Sequence, residues 1–174
     1  MGEINVDFQT KELIRMDKQF FLTEVKAAER SLYRVARSYL SCDADAADAV
    51  QNALGKAWMK RDSLRDERLF RTWLTRIVIN ECVTFARHRK RFVPMADPPE
   101  PPPTPNGALG DLRQAMAELP PVQRVTVTLF YLDGYTLEEI ASMLRVPLGT
   151  VKNRLFRARR QLRIDLKGGD DDEA

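Results

Sequence analysis

Lys152, Asn153, Phe156, Arg157 and Arg160 gather on one side when residues 151–162 are wound at ~100° per residue. Val151, Leu155, Ala158 and Leu162 then form a narrow apolar stripe on the opposite side. Between Arg145 and Lys167 there are eight lysines or arginines and one acid, Asp165. An apolar stripe backed by a basic face suits a helix laid in a DNA major groove. Lysine and arginine pair with guanine or phosphate, asparagine pairs with adenine, and a phenylalanine can touch a thymine methyl. A solvated amphipathic helix would carry similar arginines. The scarcity of acids and the turn chemistry just upstream argue against that plainer reading.

Other chemistries find little support. Cys42 and Cys82 lack a CxxC neighbour, and the single histidine, His88, completes no metal set. No nucleophile–base pair or carboxylate pair sits on an alternating strand–helix pattern, so no catalytic residue, metal or cofactor is expected. No small-molecule substrate is expected either. No apolar run approaches the ~20 residues of a membrane span, which predicts a cytoplasmic chain without membrane insertion, its two thiols reduced. The 174 residues suffice for one domain or two small ones, and 44% hydrophobic with 30% charged residues fits a helical protein. The net charge is only +3, but the basic residues cluster at Arg87–Arg91 and Arg145–Lys167 and the acids at 170–173. Two separated basic clusters suit an extended anionic partner.

The elements that position these residues follow from periodicity. Thr136 is a plausible N-cap, with Glu138 and Glu139 in the first turn of a helix that carries Ile140 and Leu144. Pro147 and Gly149 break that helix, and Thr150 caps the next, which is the layout of a helix-turn-helix. Upstream, Lys11–Leu40 predicts two helices with a break near Gln19–Thr23. Asp43–Met59 predicts a helix burying Ala47, Val50, Leu54, Ala57 and Trp58, with Asp48, Gln51 and Asn52 facing outward. Residues 62–68 read as a loop. A long helix runs from Phe70 into Arg87–Arg91, although Ile77-Val78-Ile79 also suits a short strand. Residues 93–107 hold seven of the ten prolines, a linker able to span roughly 45 Å at ~3.1 Å per residue. Leu112, Ala115, Met116 and Leu119 predict a helix ended by Pro120-Pro121, and 122–131 predicts another. The fold class expected is all-α: two small helical domains, 1–92 and 109–174, joined by a proline-rich linker at 93–108.

Several of these stretches together resemble the extracytoplasmic-function (ECF) sigma factors of the bacterial sigma-70 family. Asp48-Ala49-Val50-Gln51 is similar to the family's polymerase-binding helix. Phe70-Arg71-Thr72-Trp73-Leu74, followed by Ile77 and Asn80, is similar to the helix that melts the minus-ten element. Tyr131-Leu132-Asp133-Gly134-Tyr135-Thr136-Leu137-Glu138-Glu139-Ile140-Ala141 and Pro147-Leu148-Gly149-Thr150-Val151-Lys152-Asn153-Arg154 are similar to the domain that reads the minus-thirty-five element.

The resemblance implies a docking patch of Asp48, Gln51 and Asn52 for core RNA polymerase. It implies minus-ten contacts from Ser63, Phe70, Trp73, Asn80, Arg87, Arg89, Lys90 and Arg91, the last four gripping phosphates. It implies minus-thirty-five contacts from Lys152, Asn153, Arg154, Phe156, Arg157 and Arg160. Promoter DNA, core polymerase and an anti-sigma factor are the implied partners of a chain that is monomeric when free. The main alternative is a stand-alone helix-turn-helix regulator, which would need a dimer surface; no heptad seam supplies one.

Overall fold

In the computed structural model, residues 16–92 and 107–168 are described, with side chains through 88 in the first stretch and through 166 in the second. Seven α-helices are found among them: α1 (Lys18–Tyr39), α2 (Asp43–Met59), α3 (Phe70–Phe92), α4 (Ala108–Glu118), α5 (Pro121–Val127), α6 (Leu137–Leu144) and α7 (Leu148–Gly168). The described residues contain no strand. The proline-rich stretch 93–106, the first 15 residues and the acidic 170–173 lie outside the described residues.

The first three helices close around an aromatic and aliphatic core. Phe70, at 1% exposure, meets Phe20 and Phe21 edge-on with centroids 5.7 and 5.6 Å away. That cluster explains why α1 runs unbroken through Gln19–Thr23, where a break was expected. Phe20 and Phe21 are anchored to the same ring, and Thr23 returns its hydroxyl to the Gln19 carbonyl. Ala46, Ala49, Ala53 and Ala57 line the inner face of α2, so that helix approaches its neighbours closely. Ala47, expected in the buried stripe, is exposed; the inward phase is set by 46, 49, 50, 53 and 57. Ile77-Val78-Ile79 stays helical because Leu74, Val78, Ile79 and Cys82 together supply the buried face of α3, and burial outweighs β-branched propensity.

The last four helices enclose Leu119, Val125, Leu129, Ile140, Met143, Val151, Leu155 and Ala158. The helix expected over 122–131 is present, as a continuous helical run over 121–132. It changes at Thr128–Leu132 into one π-turn, with the Asp133 amide donating to the Thr128 carbonyl at 3.1 Å. Gly134 follows in the left-handed region, φ 73°, where glycine meets no steric penalty.

The two groups of helices pack directly on one another, α1 against α5 and α3 against α6. Val35 of α1 and Ile79 of α3 are buried in the second core rather than the first. At this seam the Asp133 side chain is fully buried. Its Oδ1 accepts from the Ser31 hydroxyl at 2.8 Å and from the Arg34 guanidinium at 3.0 Å. Arg71 donates to the Asp133 carbonyl at 2.7 Å and lies over the Tyr135 ring, 4.7 Å from its centroid. The Tyr135 and Thr75 hydroxyls share a hydrogen bond of 2.9 Å.

Candidate nucleic-acid interface

The helix-turn-helix is built by local chemistry. Thr136 caps α6 through a capping box: the Glu139 amide donates to the Thr136 hydroxyl at 3.2 Å, and the Thr136 amide donates to the Glu139 carboxylate at 2.8 Å. Arg145 ends α6 in the left-handed region at φ 53°. Beyond it, the Val146 amide reaches back to the Ala141 carbonyl. The turn into α7 differs from expectation in two details. Leu148 opens the helix, and the Pro147 carbonyl receives the Thr150 amide at 2.9 Å. Thr150 and Gly149 therefore sit inside the first turn, and neither caps nor breaks it. Proline's fixed φ suits a helix entrance, which is why Pro147 marks the start.

On α7 the expected faces hold. Val151, Leu155 and Ala158 are buried, while Lys152, Asn153, Phe156, Arg157 and Arg160 are exposed. Phe156 is 61% exposed. Its ring stands in solvent on the same face as Lys152, Asn153 and Arg157. Arg157 and Arg160 also border a shallow depression shared with Glu118, Pro120 and Gln123. Arg154 differs from its neighbours. It is half-buried, and its charge partly offsets the upward push that burial gives the Tyr39 phenol. It faces α1, not outward with Lys152 and Arg157.

In the first group, Asp48, Gln51 and Asn52 are exposed on the face of α2 opposite its alanines. Two short 3₁₀ turns, Arg61–Ser63 and Glu67–Leu69, shape the loop ahead of α3, and Asp66 caps the second by accepting from the Arg68 amide. A groove of about 590 Å³ separates this loop from α6. Ser63, Leu64, Trp73 and Arg76 line one wall, and Glu138, Glu139 and Met143 line the other.

Ser63 and Trp73, both expected at the minus-ten site, thus share one cavity. Asn80 and Arg87 are exposed further along α3, outside the groove lining. Phe70 corrects the expectation of a DNA contact: its ring is enclosed by Phe20, Phe21 and Trp73, so it is a core residue. The side chains of Arg89, Lys90 and Arg91 lie outside the described residues.

Sequence reasoning passed over Asp133, Arg71, Thr75 and Tyr135, the polar residues of the seam. Asp133-Gly134 reads as a turn signal, and nothing in its spacing announces partners 62 and 102 residues away. Burial also pushes the Cys82 thiol up to about 12, which leaves it protonated and inert. Among the described residues, no group of three or more His, Cys, Asp or Glu could hold a metal ion. No described helix is long and apolar enough to cross a membrane.

Two family models match the chain: Sigma-70 region 2 over residues 25–92 and Sigma-70 region 4 over residues 109–162. The ECF RNA polymerase sigma factor SigM of Mycobacterium tuberculosis is 33% identical, the match covering 84% of this chain and 76% of that protein. The ECF RNA polymerase sigma-E factor of Escherichia coli is 34% identical over 66% of this chain and 70% of its own length. Among solved structures, the sigma factor RpoE of Bartonella quintana, in complex with the anti-sigma factor NepR, superposes with a TM-score of 0.74 at 31% identity. That match covers 84% of this chain and 96% of RpoE.

Proposed function

The chain belongs to the extracytoplasmic-function sigma factors of the sigma-70 family, and we propose which of its surfaces meets each partner. It is an RNA polymerase sigma factor, an initiation factor that directs core polymerase to a class of promoters. Residues 1–92 form the unit that binds core and opens the minus-ten element. Residues 93–108 are the linker, and 109–174 form the unit that reads the minus-thirty-five element. The chain itself performs no bond-making step; the phosphodiester chemistry is the polymerase's. It works in the cytoplasm, where polymerase and promoter are.

The observation that carries this reading is the exposed face of α7, where Phe156 stands beside Lys152, Asn153 and Arg157 with no intramolecular role. Asn153 and Arg157 contact base edges, Lys152 and Arg160 contact phosphates, and Phe156 packs on a thymine methyl. Arg154, turned toward α1, contacts a phosphate only once the two helical groups separate. Asp48, Gln51 and Asn52 dock on core polymerase from the outer face of α2. Ser63 and Trp73 hold an unstacked base at the groove mouth, which requires a few kcal/mol of unstacking energy to be offset. Asn80 and Arg87 follow the strand along α3, continued by Arg89, Lys90 and Arg91. An anti-sigma factor, such as the NepR bound to Bartonella RpoE, is the natural antagonist.

A run-off transcription assay over a pool of upstream sequences, with and without core polymerase, tests the function. Transcripts from a defined promoter motif are expected only when chain and core are combined. Sequence-specific binding by the chain alone, unaffected by core, would instead indicate an ordinary helix-turn-helix regulator.

A further inference from the structure

We infer that the acidic run Asp170–Glu173 folds back along α7 and occupies its basic face when no DNA is bound, so that tail and DNA compete for the same arginines. The inference rests on the reading of α7 as a DNA-facing helix and adds the occupant of that face in the free chain. Charge, shape and reach carry it.

Lys152, Arg157, Arg159, Arg160 and Arg163 are all exposed. At ~100° per residue they fall away from the buried stripe of Val151, Leu155 and Ala158. Among the described residues none of the five enters an ion pair. Asp165, the one acid of α7, accepts from the Gln161 amide at 2.8 Å and neutralises no arginine. Arg157 and Arg160, Arg160 and Arg163, and Arg159 and Arg163 stand three or four residues apart, the spacing at which like charges oppose a helix. Such a face draws anions and is relieved by them.

The shape beside this face suits an extended segment. A shallow depression of about 520 Å³ lies between α7 and the junction of α4 with α5. Arg157, Arg160, Gln161 and Ile164 line it from α7, so it follows two turns of the helix toward Gly168. Pro120 and Gln123 line the other side. Glu118, its one acid, is exposed and already accepts from the Gln114 amide at 2.9 Å.

The acidic run is the right length and in the right place. Gly168-Gly169 separates it from α7, and glycine at a helix end lets the chain reverse. Five residues beyond Gly168 reach up to ~17 Å at ~3.3–3.6 Å each. At 1.5 Å of rise per residue, Arg160 lies ~12 Å and Arg157 ~16 Å back along the helix axis. The run therefore reaches Arg163 and Arg160 easily, and Arg157 at full stretch. Carboxylate and phosphate accept the same arginine fork. A tethered run also acts at an effective concentration on the order of millimolar. DNA affinity then falls in proportion to the time the face is covered.

Two measurements on the full-length chain test this. In the first, a spin label is placed at position 174 through Ala174→Cys, with Cys42→Ser to leave the enclosed Cys82 as the other thiol. At about 50 mM salt the label should broaden the amide resonances of Arg157, Arg160 and Gln161. The signals should recover at about 500 mM salt, where ion pairs are screened, and on addition of a mixed-sequence duplex of about 20 base pairs. Broadening confined to the last turn of α7, or falling on α1, would overturn the docking. In the second, Asp170→Asn, Asp171→Asn, Asp172→Asn and Glu173→Gln are combined. That variant should bind the same duplex about tenfold more tightly at about 50 mM salt, the gain fading as salt rises. Glu24→Gln with Glu29→Gln on α1 removes charge away from the face and should leave binding within about twofold. Equal tightening per charge in that control, or none in the tail variant, would overturn the competition. Neither measurement uses core or a promoter, so a failed transcription assay remains a separate result.

Discussion

Arg157 and Phe156 are adjacent residues with little to do for the fold, both exposed on a helix whose opposite side is closed. An arginine so placed contributes to binding through its fork of donors, not through packing. Arg157→Ala is therefore expected to weaken recognition of the upstream element by about 1–3 kcal/mol and to leave the melting temperature unchanged. Titration of holoenzyme against matched and mutated promoters measures this, and equal loss on every sequence would reassign Arg157 to phosphate. The two cysteines form a contrasting pair: Cys42 is half-buried and Cys82 is enclosed. With its thiol pushed up to about 12, Cys82 has a thiolate fraction on the order of 10⁻⁴ at pH 8. The fraction rises only as pH climbs toward that value, so alkylation at pH 8 should label Cys42 and spare Cys82 until the chain unfolds. Mass spectrometry of the labelled peptides distinguishes the two. The exposed basic face of α7 was legible in the sequence because a 3.6-residue period separates the buried Val151, Leu155 and Ala158 from the basic positions. Phe70 was not, because an aromatic at a helix start carries no mark of which way it turns.

At the level of elements, the outer face of α2 and its inner face answer to different demands. Asp48→Arg reverses charge on the outer face, where no contact in the fold depends on it. Core affinity should fall with little change in stability, within about 0.5 kcal/mol for such a surface position. Competition against the unaltered chain for core polymerase provides the check, and undiminished competition would remove α2 from the docking surface. Helix existence was readable along most of the chain; helix ends were less so. The expected break at Gln19–Thr23 is absent because Phe20 and Phe21 are held by Phe70 from a distant part of the sequence. Thr150 looked like a cap because its side chain suits one, but Pro147 already starts the helix one turn earlier. In both places the deciding contact or constraint lies outside the local pattern.

For the molecule as a whole, the second core draws buried residues from the first group of helices. Val35 lies on α1, yet it is buried among Leu119, Leu129 and Ile140. Val35→Ala should cost roughly 2–3 kcal/mol, and the loss should be felt in the second half of the chain. Leu32 belongs to the first core, so Leu32→Ala should act on α1–α3 first. Hydrogen exchange resolved by segment separates these outcomes: faster exchange in α5 and α6 for Val35→Ala, and in α2 and α3 for Leu32→Ala. Identical patterns would mean that the cores are not distinct cooperative units. None of this was legible beforehand. Period and composition report which face of a helix is buried, but not against which other helix. The polar contacts of Asp133 and Tyr135 span 60 to 102 residues of sequence.

The alanine-lined face of α2 also bears on how such a chain can change over generations. A side chain larger than alanine at 46, 49, 53 or 57 would overpack a dry helix contact and cost about 1–3 kcal/mol, against a total stability of about 5–15 kcal/mol. Those positions hold the helix where it is. Positions 48, 51 and 52, on the other side, can vary at almost no cost to the fold. Under the docking of α2 on core polymerase proposed above, drift at those three positions would retune how strongly the chain competes for a shared polymerase, with its architecture left intact.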